Sequence, residues 1–209
     1  MALTLINPAA IRTAAQSNEP YDYFLGENLL KSEAIDDLRR DFPNIDKPGY
    51  LTVDEVQLKG TFKTLIDELE SDELTRVISE KWGQDLTTFP RLTTIMKKSQ
   101  PKYGAIHTDG PSKVMTMLVY MNDAWNAGDG GRLRVLYDGQ NFEPYKVEVP
   151  PVMGTVFGFL RADNSWHGHR PFVGERRVVQ IAWIRDADEL ERKKRRNSFA
   201  QRLKGIFGR

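Results

Sequence analysis

The feature that most constrains the fold of this chain is a change in hydrophobic period near residue 92. From there to about residue 184, short runs rich in Val, Ile, Thr, Tyr and Phe alternate with clusters of Gly, Pro, Asn and Asp. Runs of this kind predict antiparallel strands of a sandwich or barrel. We predict strands at 92–97, 103–109, 114–121, 132–137, 145–149, 154–160, 165–170 and 176–184. Among such architectures, the double-sheet jelly roll is the one that also hosts cupin-type metal sites.

The first 90 residues have the period of amphipathic helices instead. Residues 28–41 place several apolar side chains on one helical face, namely Leu29, Leu30, Ala34 and Leu38. Pro43 then ends the pattern. Residues 61–82 continue in the same period up to Gly83, a residue suited to a helix C-terminus. We expect a mainly β fold, with a double-stranded β-helix (jelly roll) core and these helices packed on one sheet. The alternative is that the helices shape part of a substrate cleft.

Length and composition favour one domain without thiol chemistry. A chain of 209 residues can bury one substantial core. We expect a single domain over residues 1–185, with 1–90 as largely helical support, 91–185 as the jelly-roll core and 186–209 as a tail. The absence of cysteine excludes a disulfide scaffold, a zinc–thiolate site, an iron–sulfur cluster and a cysteine nucleophile. A net charge of +1 gives no reason to expect nucleic acid as a partner.

The two ends of the chain carry different signals. Residues 1–8 lack a basic region and a sustained apolar stretch, and no run approaches the roughly 18 apolar residues of a membrane-spanning helix, so we expect a cytoplasmic protein. Residues 186–209 contain eight Lys or Arg and four Asp or Glu. One helical face of this tail would carry Phe199, Leu203, Ile206 and Phe207. Such a segment either docks on the domain or makes a weak contact with a membrane surface or another protein.

All three histidines lie in two short segments, which predicts a metal site. His107 precedes Asp109 by two residues, and His167 precedes His169 by two. Residues i and i+2 of a strand point to the same side, so His107 and Asp109 can bind one ion together. A histidine from residues 165–170 would complete two imidazoles and one carboxylate, the ligand set of mononuclear non-haem Fe(II) oxygenases. Spacing alone does not choose between His167 and His169.

An arginine follows His167 at an offset of nine residues. Residues 171–175 have the composition of a turn, which predicts a hairpin that places Arg176 on a strand next to the metal-binding one. A guanidinium aimed into a small pocket is suited to a carboxylate, because its planar fork donates two parallel hydrogen bonds. A metal ion and such a clamp together imply a small anionic co-substrate. Arg177 is the alternative, although strand alternation points it the other way.

Residues 103–183 resemble the Fe(II)- and 2-oxoglutarate-dependent dioxygenases, specifically their prolyl-4-hydroxylase-like branch. The resemblance is carried by segments 107–109, 118–122, 130–135 and 154–159, and by His167, Pro171, Gly174 and Arg176. It implies a hydroxylase that uses Fe(II), 2-oxoglutarate and O2. The implied substrate is a peptidyl residue, prolyl among the candidates, or a small molecule, and 2-oxoglutarate would be converted to succinate and CO2.

The resemblance also implies roles for individual residues. His107, Asp109 and His167 would bind Fe(II), and the family spacing of proline and arginine favours His167 over His169. Arg176 would pair with the far carboxylate of 2-oxoglutarate. Tyr120 would hydrogen-bond the same group.

Substrate contacts are predicted from position. Trp125 lies in a loop, 123–130, that is rich in Gly and polar residues, where binding residues concentrate. Arg134 would face the cavity if the strands pair as in the family. Packing or surface charge is the alternative for both residues.

Two other functions fit parts of the pattern. A cupin-like isomerase or hydrolase would use the metal but not Arg176. A non-catalytic binding module would depend on residues 186–209. The sequence does not indicate an oligomeric state.

Overall fold

The strands form two antiparallel sheets that pack face to face. The structure, a computed structural model, describes residues 2–126 and 128–192. Within those residues the larger sheet has the order β1 (Ala15–Ser17), β2 (Tyr23–Gly26), β8 (Val156–Leu160), β5 (Lys113–Tyr120), β10 (Gly174–Ile184), β4 (Arg91–Ser99) and β3 (Leu51–Thr52). The smaller sheet has the order β7 (Tyr145–Val149), β6 (Leu133–Leu136) and β9 (His167–Gly168).

Apolar side chains from both sheets fill the space between them. Leu118, Phe157 and Val178 of the larger sheet share a buried cluster with Leu133 and Val135 of the smaller sheet. Every pairing between named strands is antiparallel. Two antiparallel sheets closed over a shared core form the predicted jelly roll.

Helices cover the outer face of the larger sheet. They are α1 (Pro8–Arg12), α2 (Ile35–Asp41), α3 (Gly60–Leu69) and α4 (Asp72–Trp82). Leu38, Phe62 and Ile78 of these helices share a cluster with Met117 and Ile181 of the sheet. The helix-facing sheet residues alternate with those that face the smaller sheet, as the strand period requires. The prediction that the N-terminal helices pack on one sheet is confirmed.

The helical pattern of residues 61–82 is divided into two helices. Helix α3 ends at Leu69 and α4 starts at Asp72. The side chain of Ser71 accepts a hydrogen bond from the backbone N–H of Leu74, and this N-cap starts the second helix. Because the apolar period continues through both helices, it did not indicate the break between Leu69 and Asp72. Gly83 ends α4 in the left-handed region, with φ 65°, as predicted.

The N-terminal 90 residues also supply strands that the sequence analysis did not predict. Strands β1 and β2 extend the larger sheet beyond β8, and β3 pairs with β4 at its other edge. These strands have two to four residues, too few to show a period of two. The N-terminal part is therefore both helical support and part of the sheet.

The predicted hairpin between residues 165–170 and 176–184 is wrong. Strand β9 pairs with β6 in the smaller sheet, whereas β10 pairs with β4 and β5 in the larger one. The chain crosses between sheets at residues 169–173, because a turn signal marks a bend without fixing which sheet the next strand joins. The predicted strand 103–109 is also wrong. Only His107 pairs there, as an isolated bridge to His167.

The described part of the C-terminal tail is short. Residues 187–192 are helical, and residues 193–209, with the predicted apolar face, lie outside the described residues. Across residues 2–126 and 128–192, every helix is too short or too polar to cross a bilayer.

Candidate metal centre and its pocket

His107, Asp109 and His167 lie together beside a cavity between the two sheets. One ligand atom from each lies within 4.8 Å of the others, and the centroids of the two imidazole rings are 4.3 Å apart. Small side-chain movements therefore suffice to bring all three onto one ion. The structure brings together the three residues that the sequence predicted as ligands.

A pair of backbone hydrogen bonds holds the two histidines in register. The N–H of His107 donates to the carbonyl of His167, and the N–H of His167 donates to the carbonyl of His107, each at 3.0 Å. Asp109 follows two residues later on the same segment. Two segments that are distant in sequence thus present their side chains to one point, although residues 103–109 do not form a regular strand.

The hydrogen bonds of the imidazoles leave a lone pair on each ring for a metal. Nδ1 of His107 lies 2.8 Å from the carbonyl oxygen of Ala105, and Nδ1 of His167 lies 2.9 Å from that of Ser165. A carbonyl only accepts, so each Nδ1 carries the proton and each Nε2 is free to coordinate. Burial lowers the pKa of His167 to about 4, which keeps the ring neutral near pH 7.

The carboxylate of Asp109 is buried and ionised. Its Oδ1 accepts from the ammonium of Lys113 at 2.8 Å, and its Oδ2 accepts from the hydroxyl of Thr116 at 2.5 Å. Burial alone would raise the pKa of Asp109, but the charge of Lys113 and these hydrogen bonds outweigh it and hold the pKa well below its usual range. Two imidazoles and one carboxylate are a donor set that fits Fe(II).

A cavity of about 320 Å³ is lined by His107 and His167 at one place and by Arg176 at another. Its wall is mostly apolar or aromatic, and it includes Leu118, Leu133 and Phe159. Tyr50, Lys102 and Tyr103 also line it. A concave site with apolar walls and a few convergent polar groups is typical of small-molecule binding.

Arg176 is buried without a counter-ion. It is 1% exposed, its Nε donates to the carbonyl of Gly131 at 2.8 Å, and its Nη2 donates to the hydroxyl of Tyr120 at 3.3 Å. Within residues 2–126 and 128–192, no carboxylate forms an ion pair with it. Burying an unpaired charge is costly, so the pocket is arranged for an anion that the described chain does not supply.

Tyr120 lies next to Arg176 and binds its guanidinium. The phenol is fully buried, and burial raises its pKa to about 12, against the opposing effect of Arg176. The hydroxyl therefore keeps its proton near neutral pH. Because it accepts from Arg176, its own proton is available to an anionic ligand.

Trp125 lies behind Arg176. Its indole N–H donates to the carbonyl of Gly130 at 3.0 Å, and its ring centroid is 4.5 Å from that of Phe172. A Cβ on Gly131, which has φ +82°, would approach the Trp125 ring to 2.7 Å. Trp125 thus packs against the residue whose carbonyl accepts from Arg176. Its predicted substrate contact stays a prediction.

The structure does not place Arg134 in the cavity. Its neighbour Leu133 lines the cavity, so strand alternation turns Arg134 to the outer face of the smaller sheet. There it pairs with Glu148 and Glu143, each at 2.6 Å, and stacks on Tyr145. The strand pairing expected from the family resemblance pointed Arg134 into the cavity, whereas in the structure its neighbour Leu133 takes that position.

Arg177 points away from the pocket, as strand alternation predicted. Its guanidinium pairs with Glu175 and lies over the ring of Phe42. Arg176, not Arg177, is therefore the arginine that reaches the cavity.

His169 lines the cavity but lies outside the three-residue cluster. Its Nδ1 donates to the carbonyl of Arg170 at 2.9 Å, and its ring packs against Gly104. Burial, with the charge of Arg176, lowers its pKa to about 3. The ring is therefore a neutral group beside Arg176.

Two polar contacts of the site were missed by the sequence analysis. Lys113 and Thr116 both bind Asp109, and Thr116 shares the inward face of β5 with Leu118 and Tyr120. The two-residue spacing from Tyr120 was a usable signal for Thr116. Lys113 carried no such signal, since it lies at the strand end.

Both the sequence and the fold are similar to those of known proteins. Residues 79–185 match the family model of the 2OG-Fe(II) oxygenase superfamily. A search of curated proteins gave no match. A prolyl-4-hydroxylase from Pseudomonas putida has a TM-score of 0.58 and 18% identity, over 86% of this chain and 99% of that one.

Two further solved structures share the fold. A viral collagen prolyl hydroxylase from Paramecium Bursaria Chlorella virus-1, in its 2OG complex, has a TM-score of 0.51 and 19% identity, over 78% of this chain and 94% of that one. A prolyl hydroxylase from Trichoplax adhaerens, in complex with a hypoxia inducible factor peptide fragment, has a TM-score of 0.52 and 15% identity, over 90% and 89%. At these identities the likeness shows a common fold.

Proposed function

This chain belongs to the 2OG-Fe(II) oxygenase superfamily, and on that premise we propose that it hydroxylates a C–H bond of a peptidyl or small-molecule substrate. The family uses Fe(II), 2-oxoglutarate and O2. In our proposal His107, Asp109 and His167 hold Fe(II), while Arg176 and Tyr120 bind the far carboxylate of 2-oxoglutarate.

One observation carries this assignment. His107, His167 and a buried guanidinium that has no carboxylate partner in the described residues line the same cavity, and a carboxylate oxygen of Asp109 lies within 4.8 Å of a ring nitrogen of each of the two histidines. A small acid with a metal-chelating end and a free carboxylate fits both requirements. A cupin-like isomerase or hydrolase would give Arg176 no anion to bind, and family membership disfavours it.

Each part of the pocket has a defined task in this proposal. The guanidinium of Arg176 offers a charge-assisted donor, and the phenol of Tyr120 offers a second. Leu118 and Phe159 exclude water from the space between. When bound, Fe(II) with 2-oxoglutarate and O2 supplies the hydroxylation, and 2-oxoglutarate becomes succinate and CO2.

The substrate class to test first is a peptidyl residue, prolyl in particular. The fold relatives include prolyl hydroxylases, one of them in complex with a peptide. In this chain the cavity wall also carries Tyr50 and Tyr103, whose aromatic faces suit a saturated ring or an aliphatic side chain.

The decisive experiment is an anaerobic titration of the metal-free protein with Fe(II) and 2-oxoglutarate. We expect a weak visible charge-transfer band in the wild type and in Arg177→Gln, and its loss in Arg176→Gln and His107→Ala. In air, succinate should form, and a proline-containing peptide or a small molecule should gain one oxygen by mass spectrometry. Absence of the band in the wild type, with no succinate across a broad panel, would count against the proposal.

A further inference from the structure

The carboxylate of Asp109, which we propose as a metal ligand, already forms an ion pair with the ammonium of Lys113. Nζ of Lys113 lies 2.8 Å from Oδ1 of Asp109. The Lys113 side chain is 13% exposed and the Asp109 side chain 7%, so solvent screens this pair poorly. Within the described residues, Lys113 makes no other ion pair.

Orientation of the carboxylate does not by itself require this charge. Thr116 already holds Oδ2 by a neutral donor at 2.5 Å. Elsewhere in the same chain, the buried carboxylate of Glu68 is held by N–H and O–H donors from residues 4–6 without a cation. The ammonium of Lys113 therefore adds an electrostatic effect to a carboxylate that is already anchored.

A divalent ion that binds Asp109 must share this carboxylate with Lys113. The ion and the ammonium repel each other across a few ångströms in a poorly hydrated site. Without a metal, the same ammonium compensates the buried charge of Asp109, and removing it would leave that charge unpaired. Lys113 thus favours the metal-free state and disfavours the metal-bound state relative to a neutral side chain.

We propose that Lys113 is a positioning residue that sets the metal affinity of this site, by competing with the ion for the carboxylate of Asp109. The consequence is a site that holds its metal less tightly than two imidazoles and a free carboxylate would. Its occupancy would then follow the concentration of available divalent ion. This inference rests on the proposed function, because it takes Asp109 as a metal ligand.

The test is calorimetric titration of the metal-free protein with Mn(II), without 2-oxoglutarate. Lys113→Gln keeps an amide donor for Asp109 but removes the charge, and Lys113→Met removes both. We expect each to bind Mn(II) at least about tenfold more tightly than the wild type, a change of about 1.4 kcal/mol. Lys113→Arg keeps the charge and should stay within about threefold of the wild-type affinity.

A matched lysine elsewhere provides the control. Lys81 is partly buried, and its ammonium donates to the carbonyls of Arg12 and Ala14, far from the cavity. Lys81→Met changes the net charge by the same amount, so an equal gain in affinity there would show a general charge effect and overturn the proposal.

Thermal unfolding gives a second reading that does not depend on catalysis. Metal-free Lys113→Gln should melt below the wild type, since Asp109 loses its counter-charge, and saturating Mn(II) should raise its Tm by more than it raises the wild-type Tm. Unchanged or weaker Mn(II) binding in both neutral variants overturns the proposal for Lys113. A wild type that binds no Mn(II), or binds it equally well as His107→Ala, overturns the metal site of the proposed function instead.

Discussion

Two charged side chains of this molecule are equally buried, and they differ in what surrounds them. Glu68 of helix α3 is 1% exposed. Its carboxylate accepts hydrogen bonds from the hydroxyl of Thr4 and from the backbone N–H groups of Thr4, Leu5 and Ile6. The chain therefore supplies donors on several sides, and Glu68 fastens the N-terminal segment to the helical layer.

Arg176 of strand β10 is also 1% exposed, but its partners are a carbonyl and a phenol. Neither carries the negative charge that a buried guanidinium requires. A buried charged group whose partners come from the chain itself stabilises the fold. A buried charged group without a partner of opposite charge indicates a site for a charged ligand. The comparison predicts opposite outcomes for the two residues, in stability and in binding.

The largest expected effect is on co-substrate binding at Arg176. Arg176→Gln removes the charge-assisted donors and should weaken 2-oxoglutarate binding to the Mn(II)-loaded protein about 100-fold, equivalent to about 2.7 kcal/mol. Calorimetric titration measures this. The adjacent Arg177→Gln is the matched control, because its guanidinium lies against Glu175 and Phe42 outside the pocket. Equal affinities in the two variants would remove Arg176 from the site.

The next effect is on stability at Glu68. Glu68→Gln replaces one acceptor oxygen by an NH2 group that faces N–H donors, so buried donors lose their partners. We expect the free energy of unfolding to fall by about 2 kcal/mol in urea, with unchanged binding of 2-oxoglutarate. Glu73→Gln, which breaks only an exposed pair with Arg76, should cost about 0.5 kcal/mol or less. Similar losses in both variants would contradict the scaffold role of Glu68.

The sequence predicted those parts of the molecule that depend on local periodicity. Strand β7 was predicted with its observed bounds, and β5 and β10 within two residues at each end. His107 and Asp109 were found because a spacing of two residues and a pair of ligand types are both visible locally.

The parts that depend on pairing over long sequence distances could not be predicted. No sequence pattern in residues 169–173 indicates that the chain passes from the smaller sheet to the larger one between β9 and β10. Arg176 nevertheless lines the cavity, because the jelly roll brings both sheets to it. Arg134 does not, since a shift of one residue in phase reverses the face of a strand.

A smaller effect is expected from the contact between Trp125 and Gly131, the residue whose carbonyl accepts from Arg176. Trp125→Ala removes the ring that packs on Gly131 and Phe172, so the carbonyl that accepts from Arg176 loses its support. We expect 2-oxoglutarate binding to weaken about tenfold, or about 1.4 kcal/mol, with Mn(II) affinity within about twofold of the wild type. Trp125→Phe should restore most of the binding. An unchanged affinity in Trp125→Ala would mean that Gly131 keeps its place without this ring.

The smallest effect is expected at Arg134. A variant of this residue tests whether burial of an arginine or the partners around it identify a binding site. Like Arg176, Arg134 is a buried arginine on a central strand, but Glu148 and Glu143 accept from its guanidinium at 2.6 Å. By the reasoning applied to Glu68, it belongs to the scaffold. Arg134→Gln should leave 2-oxoglutarate binding unchanged. It should lower the free energy of unfolding by only about 1 kcal/mol, because Glu148 keeps Arg132 as a partner and Glu143 is half exposed. A loss of binding comparable with that of Arg176→Gln would show that burial of an arginine, rather than the missing carboxylate, is what marks the pocket.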